Sequence, residues 1–106
     1  MTANRKLGVG AIGLGRAFTF MRPAFAASPQ IALVAAADPR PEAQQRFAEE
    51  FGGTAYTAVD AMLRDKRVEA VYVATPHQFH AEHAIAAAQA GKHVLVEKPM
   101  ALTLAA

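Results

Sequence analysis

The sequence predicts an α/β fold built on a doubly wound parallel sheet, and three observations predict it. Short apolar runs alternate with amphipathic stretches of helical period, which is the pattern of βαβ units. Glycines gather where the first apolar run ends. The last run, opened by Gly91-Lys92, closes on Glu97-Lys98-Pro99, so that an acid, an amine and a proline stand at the carboxyl end of a buried strand. Open α/β sheets bind their ligands there. A surface ion pair is the plainer alternative for those two charges.

The elements follow in order. Leu7 to Ile12 reads as the first strand. Arg5 and Lys6 ahead of an apolar run imitate a signal peptide, but Gly8, Gly10, Gly13 and Gly15, followed by Arg16 and Arg22, break up any extended apolar core. A folded strand and turn is the better reading. A helix spans Arg16 to Ala27, where Pro23 predicts a kink or a restart. Ile31 to Ala37 is the second strand, and a helix from Pro41 to Phe51 is stopped by Gly52-Gly53. A weak third strand lies around Ala55-Tyr56 and a short helix runs from Val59 to Arg64. Ala70 to Ala74 is the fourth strand, a helix from Phe79 to Ala90 ends at Gly91, and His93 to Val96 is the fifth strand. No stretch approaches the ~20 apolar residues needed to span a bilayer.

At 106 residues the chain has room for one domain, taken as residues 1–106. The 11 Lys and Arg against 9 Asp and Glu leave a net charge of +2 with no basic run, which argues against a nucleic-acid partner. The chain has no cysteine, so disulfides, thiolate catalysis and Cys-ligated metals are excluded. That composition fits a reducing, cytoplasmic setting.

Two glycine patterns compete for a phosphate loop. Gly8-Val9-Gly10-Ala11-Ile12-Gly13 satisfies the G-x-G-x-x-G spelling, but such a loop must follow a strand and open a helix. Ahead of Gly8 lies only the polar stretch from Thr2 to Lys6, whereas a credible strand precedes Gly13. The working loop is therefore Gly13-Leu14-Gly15, where backbone N–H groups and a helix N-terminus can face a pyrophosphate. Phe18 stands where a third glycine would be expected, which predicts looser packing of the first helix on the sheet.

Asp38 ends the second strand about twenty residues past the glycines, where a carboxylate accepts hydrogen bonds from an adenosine ribose. Its charge repels a 2′-phosphate and favours NAD over NADP, while Arg40, two residues on, offers such a phosphate a cation. The plainer alternative is that Asp38 caps the helix that begins near Pro39 or Pro41, and the two roles can coexist. After the fourth strand, Thr75-Pro76-His77-Gln78-Phe79-His80 can face the same ligand across the point where strand order reverses. His77, His80 and His83 are spread around a helix by their spacings of three and six, and no HExxH order is present. They read as a solvated helix start, with no metal site.

Together Gly13-Leu14-Gly15-Arg16, Asp38, Ala74-Thr75-Pro76, His80 and Ala90-Gly91-Lys92-His93-Val94 leading into Glu97-Lys98-Pro99 resemble the glucose-fructose oxidoreductase, inositol dehydrogenase and MocA family. The resemblance spans nearly the whole chain. The runs Gly15 to Phe20 and Thr75 to His80 are further similar to the phthalate dihydrodiol dehydrogenase branch. The family's Rossmann-type sheet has strand order 3-2-1-4-5, which would leave the fifth strand as an apolar edge.

The resemblance implies a nicotinamide-dependent oxidoreductase that moves a hydride between the coenzyme and a cyclic polyol, sugar or dihydrodiol. By it, Gly13, Gly15 and the backbone at Arg16 and Ala17 hold the pyrophosphate and Asp38 the adenosine ribose. Thr75, Pro76 and His80 border the cofactor, Glu97 lies near the nicotinamide ribose, and Lys98 is the catalytic candidate beside nicotinamide and substrate hydroxyl. A cis bond at Lys98-Pro99 is expected. Family members continue into a further α/β domain that supplies the substrate pocket and much of an oligomer interface, so these 106 residues are expected to bind a dinucleotide without turning over substrate. The full-length protein is expected to be a homo-oligomer. The rival reading is a non-catalytic dinucleotide-binding or redox-sensing module whose sheet edge docks a partner protein. A structural fragment with no ligand is the third.

Overall fold

The structure, a computed structural model, describes residues 6–75, 77–97 and 102–105. Among the described residues, six strands form one sheet: β1 (Leu7–Ile12), β2 (Ile31–Ala37), β3 (Thr54–Tyr56), β4 (Ala70–Val73), β5 (His93–Glu97) and β6 (Leu102–Ala105). Four helices lie between the first five strands: α1 (Arg16–Ala27), α2 (Pro41–Phe51), α3 (Val59–Leu63) and α4 (His77–Gln89). The spatial order is β3-β2-β1-β4-β5-β6. The first five strands run parallel in the expected order 3-2-1-4-5. Strand order reverses between β1 and β4, whose carboxyl ends lie side by side at Ile12 and Val73.

One expectation is corrected at the margin of the sheet. β5 is not an edge, because β6 pairs antiparallel with it from Val94 against Ala105 to Glu97 against Leu102. The pairing satisfies backbone groups that an edge would leave open. Leu102-Thr103-Leu104-Ala105 is too short to stand out by propensity.

The helices cover both faces of the sheet, and alternation along each strand decides which residue goes where. Val9, Ala11, Ala70 and Tyr72 point into one layer with Phe18, Phe25, Leu33 and Phe47. Ile12, Val71 and Val73 point into the other with Met62, Val68 and Ala87. Gly8 lies inside β1, where a Cβ would come within 2.0 Å of the Arg67 carbonyl oxygen. The first glycine pattern is therefore a packing feature of a strand and not a phosphate loop.

Phe18 is 3% exposed. Its ring centroid lies 5.9 Å from Phe25, 6.4 Å from Phe47 and 6.0 Å from Phe51, so an aromatic cluster fills the space between α1 and α2 where a glycine would have let them close. The restart expected at Pro23 does not occur, and α1 continues through it. Pro23 removes the helical donor of the Thr19 carbonyl, and Thr19 and Pro23 are both exposed. The glycine stops stand as expected: Gly52 and Gly91 take φ of 72° and 80°, and Gly52 is the C-cap of α2. Among the described residues no helix is long and apolar enough to cross a membrane.

Candidate functional site

The site is built on the carboxyl ends of β1, β2 and β4. Where β1 ends, Gly13 takes φ +89° while its N–H donates to the Ala37 carbonyl at 2.8 Å. A side chain would strain that backbone, and its Cβ would meet Thr75 Cγ2 at 3.1 Å and the Thr75 nitrogen at 3.3 Å. The first glycine is thus pressed against the tail of β4, which Ala74 ties to β1 by donating to the Ile12 carbonyl at 2.8 Å.

Leu14 follows, and its N–H donates to Asp38 Oδ2 at 2.9 Å. Gly15 is the N-cap of α1, and no side chain caps that end. The first helical bond runs from the Thr19 N–H to the Gly15 carbonyl at 3.0 Å, so the N–H groups of the turn before it have no intrahelical acceptor. No acidic side chain occupies that turn. Where a Cβ would stand on Gly15, Arg40 Nη2 at 3.9 Å is the one neighbour within 4 Å. An uncapped helix N-terminus behind an open glycine is a cradle of N–H dipoles suited to a phosphate oxygen.

Asp38 is 5% exposed. Oδ1 accepts from the Arg40 N–H at 2.9 Å and from Arg40 Nε at 3.0 Å, and Oδ2 accepts from Leu14 and from Arg40 Nη2 at 3.0 Å. Burial alone would raise this carboxyl, but the Arg40 side chain and the Arg40 and Leu14 N–H groups outweigh it and hold Asp38 below the usual carboxylate range. Both oxygens are therefore fully engaged within the chain. The Arg40 side chain is 53% exposed, so its guanidinium bridges Asp38 to solvent above the glycine loop. Asp38 does not cap α2 as its N-cap, since Arg40 holds that position; instead the Asp38 carbonyl accepts from Gln44 Nε2 at 2.7 Å.

Gly13, Gly15, Asp38, Arg40 and Thr75 are thus brought together at the reversal point of the sheet. Arg16 and Ala17 open α1, His80 lies in α4 and Glu97 ends β5, and of these four the backbone alone is described. Pro76, Lys98 and the Lys98-Pro99 bond lie outside the described residues. His83 departs from its reading as part of a solvated helix start. It is half-buried, and its Nδ1 lies 2.9 Å from Thr75 Oγ1. The Leu14 N–H is the other participant that motif reading misses, because a backbone donor leaves no mark on residue type. The eight-residue spacing from Thr75 to His83, two turns into a helix whose side chains lean toward its N-terminus, was the available signal for the histidine.

Residues 7–106 match GFO_IDH_MocA, the oxidoreductase family with an NAD-binding Rossmann fold. The 1-carboxy-3-chloro-3,4-dihydroxycyclohexa-1,5-diene dehydrogenase of Comamonas testosteroni is 47% identical over 97 residues, covering 91% of this chain and 24% of that protein. The crystal structure of a 3-ketoreductase from Actinomadura kijaniata with NADP and TDP-benzene superposes with a TM-score of 0.81 at 40% identity, over 92% of this chain and 30% of the other. The WlbA dehydrogenase of Bordetella pertussis, solved with NADH and UDP-GlcNAcA, gives a TM-score of 0.79 at 37% identity, again over 92% of this chain and 30% of the other. The chain spans a quarter to a third of the length of these relatives. With its sheet order, its glycine loop and its match from residue 7 onward all in agreement, the chain belongs to the GFO_IDH_MocA oxidoreductase family, of which it forms an NAD-binding Rossmann domain.

Proposed function

We propose that residues 1–106 are the coenzyme domain of a nicotinamide-dependent oxidoreductase acting on a cyclic polyol, sugar or dihydrodiol. One observation carries this reading: the α1 N-terminus, open to anions, stands behind a glycine loop that Asp38 clamps at the reversal point of the sheet. The Comamonas relative, a dihydrodiol dehydrogenase by its name, and the sugar-nucleotide enzymes among the structural relatives support the substrate class.

In this reading Gly13, Gly15 and the N–H groups of Arg16 and Ala17 hold the pyrophosphate, and Thr75, Pro76 and His80 border the coenzyme. Bound nicotinamide supplies the hydride acceptor or donor. Glu97 takes the nicotinamide ribose. Lys98 stands by the substrate hydroxyl, where an ammonium stabilises the alkoxide as it forms.

For the coenzyme we favour NAD, with the ribose hydroxyls replacing Arg40 on Asp38. NADP is the second reading, and the Arg40 pair favours it, because Asp38 neutralised by a guanidinium no longer repels a 2′-phosphate. Cytoplasmic location fits the lack of cysteine, and homo-oligomerisation of the whole enzyme is part of the same proposal. The rival docking module needs an open sheet edge; β6 covers β5, which leaves that reading the short strands β3 and β6.

Titrating the chain with NADH and NADPH by fluorescence tests the reading. Saturable binding of either, lost on Gly15→Val, is the expected outcome; no uptake of either would refute it. In the whole enzyme, Lys98→Ala should cut turnover with modest loss of coenzyme affinity.

A further inference from the structure

We propose that His83 is a positioning residue of the coenzyme site, acting through Thr75 on the first glycine of the loop. The inference rests on the coenzyme reading above and names a residue outside the glycine, acid and lysine motifs. Thr75 stands just past β4 with its side chain divided between two neighbours. Its methyl faces Gly13, at 3.1 Å from where a Cβ would stand, and its hydroxyl lies 2.9 Å from His83 Nδ1. Threonine has few χ1 wells, so a partner that fixes the hydroxyl also fixes the methyl. His83 therefore holds the surface on which Gly13 rests at φ +89°.

The bond has a second consequence. A hydroxyl carries one donor and two acceptor sites. When Nδ1 is bare, Thr75 donates to it and shows only lone pairs toward the loop. When Nδ1 carries a proton, His83 donates and the Thr75 proton turns outward. The tautomer of His83 thus sets whether Thr75 offers the coenzyme an acceptor or a donor. The contact survives in both forms, so it serves as a fixed strut. His83 is half-buried in the second turn of α4, and the strut joins that helix to the carboxyl end of β4.

A double-mutant cycle on coenzyme affinity tests this, with NADH as probe, at a temperature where circular dichroism shows every variant folded. His83→Ala and Thr75→Val should each weaken binding about 5-fold, the worth of one hydrogen bond. The double variant should lose no more than Thr75→Val alone, because the histidine acts through the threonine. His83→Asn, which can keep a polar atom near the place of Nδ1, should recover most of the loss. His83→Ala binding as tightly as wild type overturns the inference alone, as do single losses that multiply in the double variant or an Asn variant as weak as Ala. Wild type that takes up neither NADH nor NADPH overturns the coenzyme reading, and the inference with it.

Discussion

The carboxylate of Asp38 and the N–H of Leu14, 24 residues apart in the chain, meet at 2.9 Å. They join the end of β2 to the glycine loop, and the same carboxylate holds Arg40 by three further hydrogen bonds. In the proposed coenzyme reading, a ribose that comes to Asp38 must displace the exposed guanidinium, since losing the Leu14 bond would release the glycine loop.

Asp38→Asn keeps the size of the side chain but sets an NH2 group against donors it cannot accept from. It should destabilise the fold by about 1–3 kcal/mol and weaken NADH binding as well. Urea unfolding and a coenzyme titration on the same sample would measure both.

Arg40→Ala separates the two coenzymes. With the guanidinium gone, Asp38 meets a 2′-phosphate as a bare like charge, so NADPH affinity should fall about tenfold or more while NADH affinity holds or rises. Parallel titrations read the ratio directly, and an equal loss for both coenzymes would exclude a role in discrimination.

Gly13→Ala puts a β-carbon on backbone at φ +89° and against the Thr75 methyl. The backbone strain alone is of order 1–3 kcal/mol. A lower denaturation midpoint together with weaker coenzyme binding is expected.

Phe18→Ala removes a ring that touches Phe25, Phe47 and Phe51 and should cost about 3–5 kcal/mol. Phe18→Leu should cost much less, because most of the buried volume is kept. Chemical denaturation of both variants would show whether the aromatic cluster governs the docking of α1.

Acid should unfold the domain through two carboxylates. Hydrogen bonds from the Arg67 side chain, with help from the Arg67 N–H and Tyr56, hold Asp65 far below its ordinary value, and Asp38 is also lowered. Each is more acidic folded than its ordinary value of 3.8, so each contributes stability at neutral pH. That contribution fades as pH falls below about 4 toward the folded values. Thermal midpoints between pH 6 and pH 2.5 should decline across that window, and Asp65→Asn should flatten the decline while lowering the neutral value.

The sequence disclosed the parallel core because apolar runs and helical periods alternate without interruption from Leu7 to Val96. The glycine turn that joins β1 to α1 was also readable, since only Gly13 has a strand before it and a helix after it. What Asp38 touches was not. Leu14 reaches it only because β1 and β2 pair with Ile12 beside Ala37, a register that no residue type announces. The Thr75 and His83 contact needed the geometry of a helix as well as a motif. β6 escaped notice because a four-residue strand owes its existence to the neighbour it pairs with rather than to its own composition.

The antiparallel β6 changes what the molecule presents to other molecules. Among the described residues, with β5 enclosed, the outermost strands are β3 with three residues and β6 with four. Margins so brief leave little backbone to template strand exchange or fibril growth. Self-association through these two margins would therefore rest on side chains, where charge and shape can be selective, and not on the indiscriminate ladder of amides.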